Sequence, residues 1–492
     1  MKHTIKFISI FLCCVMLLTL LGCSDNTNSA IIYYGVDTHP ESLDPQTADS
    51  FIELMLVRNL YEGLLRENEQ GEIVNGVAES YSKSGLVYTF KLNKDAVWAD
   101  GTGITANDFI FALRRAVNPV TASPNAACLF AIKNAEAIYN GKKNISTLGV
   151  KKTDDYTLTI ELVREDANFL YTLTTAICMP CNEKFFGNSI GKYGMSYDTV
   201  LCNGSYKLTK WNTEDFAMRI AANRSYTGTF IPKNAAVYFT KNIKIDTLES
   251  LNKSYVDIAE ISASNKNSAE ASGFTTKRIN NKVWLLSLGK SYTMNMKHSL
   301  HLSAINADDF SDIAETYSYA GKIIPDVLGN SNLESVNLYD ATRSQQLYNS
   351  EIKRFSDNKF PQKVIYYCGD STTTELVKKI AGHFQQNLGT YINIEKNDSL
   401  PELNGKTSND DYHISVFSAE VNERNVYKYM NCLGVNFGGS LTNDMQSEIF
   451  KFGNIVPIAY SGTYFAYDDC LSNITFFNTN GIIDFSFIIK SN

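Results

Sequence analysis

Positive charge is in short supply in this sequence. Its 492 residues include 45 Lys and Arg against 52 Asp and Glu, so the formal net charge is −7. Proteins that bind nucleic acid through its phosphates usually carry a basic face or a basic overall balance. The composition therefore argues against a nucleic-acid partner.

Several signatures of enzymes and cofactor sites are also missing. Neither an H-E-x-x-H pair nor an EF-hand loop occurs, and NGKTS (404–408) lacks the earlier glycine of a phosphate-binding loop. His298 and His301 have the spacing to share a helix face and chelate a metal, but no neighbouring Cys or carboxylate cluster completes such a site. We therefore expect no enzymatic activity, no metal and no cofactor.

Long apolar runs are confined to the first residues. Lys2 and Lys6 precede an almost entirely apolar segment from Phe7 to Leu21, which is shorter than the roughly 20 residues that span a bilayer. A positive start, a short apolar middle and small residues before a cleavage point are typical of a secretory signal. A buried core helix and a single N-terminal membrane anchor are the alternatives.

The end of this segment, Leu20-Leu21-Gly22-Cys23, resembles the lipobox of bacterial lipoproteins. The resemblance implies a signal peptide over 1–22 and a diacylglyceryl group, with palmitate-type chains, on the Cys23 thiol. Residues 23–31 would form a tether. Two or more acyl chains hold a protein stably at a bilayer, so we expect the protein on the extracytoplasmic face of the cell membrane of a Gram-positive bacterium.

Seven cysteines remain beyond this segment, an odd number that cannot all pair: Cys128, Cys178, Cys181, Cys202, Cys368, Cys432 and Cys470. Their spacing identifies no disulfide. Cys178 and Cys181 have the C-x-x-C spacing of redox and metal sites. No second pair follows, which disfavours zinc, and a thioredoxin-type motif belongs to a much smaller fold.

The hydrophobic pattern predicts an α/β protein. Residues 30–37 have the pattern of a strand and residues 51–65 that of a helix. Thr105 and Asp108 are spaced as a capping box at the start of a further helix. Residues 364–396 have a β–α–β pattern, which is typical of α/β lobes.

Several stretches together resemble one family, the extracellular solute-binding proteins of peptide ABC importers, also called the oligopeptide-binding family or solute-binding family 5. The most specific stretch is GVAESYSKSGLVYTFKLNKDAVWADGTGITANDFIFALRRAVNP (76–119). The others are ESLDPQTADS (41–50), NLYEGLLREN (59–68), NAEAIYNGKKNISTLGVKKTDDYTLTIEL (134–162) and CNGSYKLTKW (202–211). The similarity is strong over roughly 35–230 and weaker beyond.

The resemblance implies a periplasmic-binding-protein-like clamp of two α/β lobes with an extra N-terminal subdomain. The expected divisions are lobe I over 32–58, 199–270 and 455–492, the subdomain over 59–198, and lobe II over 271–454. Only nine residues separate VYKYMNCLGVNFGGSLTNDM from IVPIAY, where relatives have several helices. We therefore expect a trimmed second lobe, and a monomer.

The family holds the α-amine of its ligand with an aspartate in a Gly-Trp-x-x-Asp-Tyr-x-Asp-Pro stretch. In the matching place Phe417 replaces the tryptophan and Glu420 replaces the aspartate. The charge is kept, so Glu420 is the candidate partner of an ammonium group. Because Glu is one methylene longer than Asp, the amine would be displaced unless the loop shifts. A surface acid in a drifted loop is the alternative.

Two further segments match ligand-contacting regions of the family. Thr38, His39, Pro40 and Glu41 occupy the segment that offers backbone groups to the peptide in relatives. Asn203 and Gly204 match the family's Asn-Gly-Pro-Tyr segment, with serine in place of the proline. These six residues complete the set of candidate ligand-binding residues.

The resemblance implies a membrane-anchored receptor that binds peptides between two lobes and delivers them to the permease subunits of an ABC importer. The trimmed second lobe and the Glu420 substitution favour one alternative. A diverged lipoprotein on the same fold could sense a peptide signal, scavenge another solute or serve as an adhesin.

Overall fold

One long β-sheet connects most of the chain in the computed structural model, which describes residues 30–36, 38–212, 217–241, 256–311, 313–324, 333–369, 371–421, 426–435, 442–477 and 482–491. The leader, Cys23 and most of the expected tether lie outside these residues. The helices are α1 Phe51–Leu60, α2 Ala106–Val117, α3 Ala135–Tyr139, α4 Phe169–Thr172, α5 Glu183–Asn188, α6 Lys266–Ala271, α7 Met294–Ala304, α8 Ala341–Glu351, α9 Ser371–Leu388, α10 Leu400–Thr407, α11 Val426–Cys432 and α12 Asn443–Phe452.

The strands are also numbered in chain order. They are β1 Ile31–Val36, β2 Leu65–Glu67, β3 Ile73–Asn75, β4 Ala78–Ser84, β5 Val87–Leu92, β6 Val150–Asp154, β7 Thr157–Glu161, β8 Tyr206–Asn212, β9 Ala217–Ala222, β10 Ala236–Lys241, β11 Ile258–Ile261, β12 Thr275–Leu288, β13 Tyr317–Tyr319, β14 Val364–Cys368, β15 Asn393–Asn397, β16 Ile414–Glu420, β17 Ile455–Tyr467, β18 Leu471–Ser472, β19 Phe476–Phe477, β20 Ile482–Ile483 and β21 Ile489–Lys490. Among the described residues, the long sheet has the order β15-β14-β16-β12-β17-β11-β1-β10-β9-β8, with β13 also paired to β17.

Two unusually long strands, β12 and β17, join the halves of this sheet. The first part of β12, Thr275–Ile279, pairs with Tyr467–Thr463, and its second part, Lys282–Ser287, pairs with Ser461–Ile455. The register shifts between Ile279 and Lys282, as expected for a β-bulge, which bends a strand and increases its twist. The bulge therefore marks a bend in the two connecting strands.

The buried apolar residues separate at the same place. The first core contains Ile32, Tyr34, Val237 and Phe239, and it extends into the N-terminal subdomain. The second core is built around β12 and β17 beyond the bulge, β14, β16 and the helices α7 and α9. The two cores define two α/β lobes joined by continuous strands, so the expected fold class is confirmed. The exact domain boundaries stay a prediction.

The expected helix over 51–65 is too long. Helix α1 ends at Leu60, and Tyr61 has extended backbone angles. Leu65–Glu67 instead forms β2, antiparallel to β3. Distant residues override the helical pattern, because the Asn203 amide accepts a hydrogen bond from the Glu62 N–H (3.0 Å) and donates one to the Glu62 carbonyl (2.9 Å).

Other local predictions are confirmed. The Thr105 N–H donates to the Asp108 carboxylate over 2.7 Å, as in a capping box. Strands β14 and β15 are parallel and are connected by α9, as the β–α–β pattern predicts. Between the end of α11 and β17 the structure describes the ten-residue helix α12, in the segment where we expect the second lobe to be trimmed.

Candidate functional site

The carboxyl ends of strands from both lobes face each other at the bulge. β1 is parallel to β11, whose last residue Ile261 pairs with Tyr464 of β17, just before the bulge. β16 runs in the opposite direction, and its last residue Glu420 pairs with Lys282 of β12, just after the bulge. In α/β sheets ligands bind outside the carboxyl ends of strands. The boundary between the lobes is therefore the candidate binding site.

Glu53 of α1 holds the loop that follows β1. Its carboxylate accepts hydrogen bonds from the backbone N–H groups of Glu41 (2.9 Å), Ser42 (3.0 Å), Asp49 (3.1 Å) and Ser50 (3.1 Å). Burial raises the pKa of Glu53, but these donors together lower it below its ordinary value. A fixed carboxylate thus shapes one wall of the site. The Ser50-x-x-Glu53 capping box in the sequence is the signal that could have identified it.

The four candidate residues in this loop differ in their surroundings. Thr38 and Glu41 are exposed, His39 is half-buried and Pro40 is buried. The Glu41 N–H is already bonded to Glu53, so it is not a donor for a ligand backbone. Thr38 also lines a cavity of about 190 Å³ that opens at the end of β1.

Glu420 and Phe417 lie on the other lobe, at the end of β16. Glu420 is exposed, whereas Phe417 is half-buried and packs against the second core. Successive strand residues point to opposite faces, so side chains three positions apart project from opposite sides of the sheet. Of the two, Glu420 is therefore the solvent-accessible side chain, and it lies at the strand end beside the lobe boundary.

Asn203 and Gly204 hold the protein's own backbone. Asn203 is 3% exposed, and its amide is bonded to both backbone groups of Glu62. A Cβ on Gly204 would lie 2.7 Å from the Leu60 carbonyl carbon and 2.8 Å from the Tyr61 nitrogen. These contacts give both residues a structural role, because they pack the end of α1 against the start of β8, and a ligand contact by either residue stays a prediction.

The pair His298 and His301 lies on α7. His301 is buried, and its Nδ1–H donates to the Phe450 carbonyl of α12 over 2.9 Å. Burial, together with the nearby charges of His298 and Lys297, lowers the pKa of His301 to about 3. Within the described residues, no group of three His, Cys, Asp or Glu side chains is arranged to hold a metal ion.

The buried His301 makes stability depend on pH. Unfolded histidine has a pKa near 6.5, so as pH falls below that value the unfolded state binds a proton that the folded state resists. The free energy of unfolding should fall by up to about 1.4 kcal/mol per pH unit between pH 6.5 and 3 from this group alone. Urea unfolding at pH 7.5 and 5.5 measures the loss.

The variant His301→Gln should lose less stability between these two pH values than the wild type. His413→Gln, which alters a half-buried ring on another segment, serves as the matched control and should keep the wild-type slope. Equal slopes for the wild type and His301→Gln would show that His301 does not carry the effect.

The cysteines of the C-x-x-C stretch are buried thiols. None of the seven cysteines among the described residues forms a disulfide, and burial raises the pKa of the Cys178 thiol well above its ordinary value and that of Cys181 to about 11. The thiolate is the reactive form. This environment therefore disfavours redox or nucleophilic chemistry at either residue.

A G-x-S-x-G string, Gly187 to Gly191, also occurs in the chain. In the nucleophile elbow of hydrolases such a serine follows a strand and precedes a helix. Here Ser189 instead follows α5, and its hydroxyl donates to the Phe186 carbonyl over 2.6 Å. The string is the end of a short helix, so its structural context does not fit a catalytic serine.

The two lobes are joined by the long paired strands β12 and β17, and strand ends from both lobes meet between them. This arrangement defines a binding protein of the two-lobe periplasmic class. The model of the family "Bacterial extracellular solute-binding proteins, family 5 Middle" matches residues 72–434. The chain therefore belongs to this family of solute-binding receptors, as its sequence predicts.

Two known proteins illustrate the similarity. The periplasmic murein peptide-binding protein MppA of Escherichia coli is 35% identical over 233 residues, which are 44% of this chain and 43% of that protein. The chain thus matches less than half the length of this relative. The unliganded open form of MppA has a TM-score of 0.74 at 19% identity, over 94% of this chain and 97% of that chain. OppA of Listeria monocytogenes, bound to peptide, has a TM-score of 0.70 at 21% identity, over 94% and 99%.

Proposed function

We propose that this protein is a lipid-anchored extracytoplasmic receptor that binds peptides between its two lobes and delivers them to an ABC importer. The observation that carries the proposal is the convergence of strand ends from both lobes at the bulge, with the exposed carboxylate of Glu420 at the end of β16. Membership of solute-binding family 5 and the fold of peptide-bound OppA support the same ligand class.

Each part of the proposed site has a physical role. Exposed backbone beside strand ends can pair with an extended peptide, which provides affinity without selecting side chains. A carboxylate at the same boundary favours the positively charged α-amine of a peptide. The bulge in β12 is a bend between two separately packed cores, which suits closure of the lobes around a ligand.

The membrane anchor rests on the sequence. The lipobox-like stretch ending at Cys23 precedes the first strand by eight residues, since β1 begins at Ile31. In the described part of the chain, helices are too short or too polar to cross a bilayer. Acylation of Cys23 would place the first lobe close to the membrane surface, where a permease is accessible.

Peptide binding should raise the melting temperature of the mature protein. A ligand present at a hundred times its Kd adds about 2.7 kcal/mol to the free energy of unfolding. We expect a mixed pool of short peptides to stabilise the wild type, and the same pool with acetylated α-amines to stabilise it less. Glu420→Gln should reduce the difference between the two pools. Differential scanning fluorimetry measures all of these shifts.

Glu136→Gln is the matched control, because Glu136 is an exposed glutamate on α3, in the N-terminal subdomain. It should respond to both pools as the wild type does. If no pool stabilises the wild type, the proposed ligand class is wrong. If peptides bind but Glu420→Gln still prefers free amines as strongly as the wild type, the role of Glu420 is wrong.

A further inference from the structure

A cavity lies at the carboxyl end of β1, in the first lobe and beside the lobe boundary. Its volume is about 190 Å³, and its walls include Gly35, Val36, Thr38, Phe51 and Glu260. Pockets that enclose whole drug-sized ligands are usually about 300–1,000 Å³. This smaller cavity has the size of a place for one side chain rather than for a complete ligand.

The walls of the cavity combine apolar surface with one carboxylate. Val36, Phe51 and Ile52 contribute the apolar part, and Glu260 is the only Asp or Glu among the described residues that line it. Phe51 also packs against Phe465 of β17, with ring centroids 6.0 Å apart. An apolar stem with a cationic head suits such walls, because the stem is buried while the head meets a carboxylate.

The other acid of this region has a different role. Asp257, which directly precedes β11, accepts hydrogen bonds from the Tyr33 N–H (2.8 Å) and from the Lys490 ammonium (2.7 Å). It therefore neutralises the protein's own lysine. Glu260, on β11, lines the cavity and pairs in register with Phe465 of β17.

We propose that this cavity is a subsite for a basic side chain of the ligand, and that Glu260 pairs with the cationic head of that side chain. The proposal rests on the peptide-receptor function proposed above and names a preferred substrate class, peptides that contain lysine or arginine. Acidic side chains are excluded from the subsite by like charge.

The sheet register separates the subsite from Glu420. Glu260 is level with Phe465, and Glu420 is level with Ser461, four positions along β17 and three strands across. At about 3.3 Å per residue and 4.8 Å per strand, the two positions are roughly 20 Å apart. An extended peptide spans that distance in about six residues. Glu260 therefore selects a side chain away from the amino end of the ligand.

The subsite is tested with alanine hexapeptides that carry either lysine or norleucine at a single position, which is moved through the peptide from one member of the series to the next. Calorimetry measures the Kd of each peptide. Norleucine matches the lysine stem without its charge. At one position other than the first, the wild type should bind the lysine peptide about ten- to a hundredfold more tightly than the matching norleucine peptide. Glu260→Gln should lose this preference and keep the affinity for norleucine peptides, while Glu136→Gln should keep both.

A second probe separates the subsite from the proposed function. Agmatine carries a guanidinium group at one end of a short apolar chain and an ammonium group at the other, and it can enter the subsite without a peptide backbone. Its binding to the wild type and to Glu260→Gln is followed by ligand-observed NMR. Peptide binding without any lysine preference overturns the subsite alone. Agmatine binding that requires Glu260, without binding of any peptide, supports the subsite and overturns the peptide function. Failure of both probes overturns both.

Discussion

Replacing Asp484 with asparagine is expected to lower the free energy of unfolding by about 3–5 kcal/mol, since it removes one partner from a buried ionic network. The Asp484 carboxylate is fully buried and pairs with the guanidinium groups of Arg66 and Arg58, the latter at 3.2 Å. Burial raises the pKa of Asp484, but the two arginines and Ser486 lower it below its ordinary value. The asparagine variant leaves two buried cations without their shared counter-charge.

The network also explains how distant segments are held together. Arg58 lies on α1 and Arg66 on β2, and both meet Asp484 near the C-terminus. Arg66 further pairs with Glu62 at 3.1 Å, and the Tyr226 hydroxyl donates to Glu62 over 2.5 Å. Loss of Asp484 should therefore loosen the C-terminal segment from the first lobe.

Urea unfolding followed by circular dichroism measures the change. Glu161→Gln is the control, because it disrupts the exposed pair of Glu161 and Lys133 (2.7 Å), where the change should stay below about 1 kcal/mol. An Asp484→Asn variant as stable as Glu161→Gln would show that the buried network contributes little.

Gly462→Ala is expected to lower the free energy of unfolding by about 2–3 kcal/mol, because the new methyl group has no space at the bulge. A Cβ on Gly462 would lie 2.1 Å from the Ile279 carbonyl oxygen and 2.6 Å from its carbonyl carbon. Both contacts are with backbone of the paired strand β12, which cannot rotate away. The strands would have to separate at the bend between the lobes.

The same substitution in α9 should have the opposite sign. A Cβ on Gly382 would project into open space, since nothing lies within 4 Å of its position, and alanine favours a helix over glycine by roughly 0.5–1 kcal/mol. Gly382→Ala should therefore stabilise the protein slightly. Urea midpoints measure the stability of both variants relative to the wild type. A Gly462→Ala protein with wild-type stability would contradict the close approach of the two strands at the bulge.

Local signals in the sequence predicted local structure well. The capping box of Thr105 and Asp108, the apolar strand pattern of β1 and the β–α–β unit of β14, α9 and β15 all depend on residues close together in the chain. The main error at this level, the helix continued to residue 65, came from a contact with Asn203, which lies far away in the chain. Family resemblance supplied the two-lobe fold.

Only part of the candidate site could be predicted from the sequence. Glu420 and the loop after β1 were identified through resemblance, whereas Glu260 carries no motif and was not found. Glu53 belongs to a capping box that can be recognised in the sequence. Its second role, which is to hold the loop after β1, depends on a backbone donor twelve residues upstream. Asn203 and Gly204 matched a family segment, yet their burial gives them a structural role.

Periodicity was enough to predict the α/β class, and the resemblance of short stretches to known families supplied the solute-binding family and the expectation of an exported, acylated protein, because each depends on neighbouring residues. The arrangement of the candidate site depends instead on the pairing of β12 with β17 in the tertiary structure. It places Glu260 of one lobe and Glu420 of the other on either side of one bulge. Residues so far apart in the chain meet only through sheet register, which depends on long-range hydrogen bonding and on the packing of two separate cores.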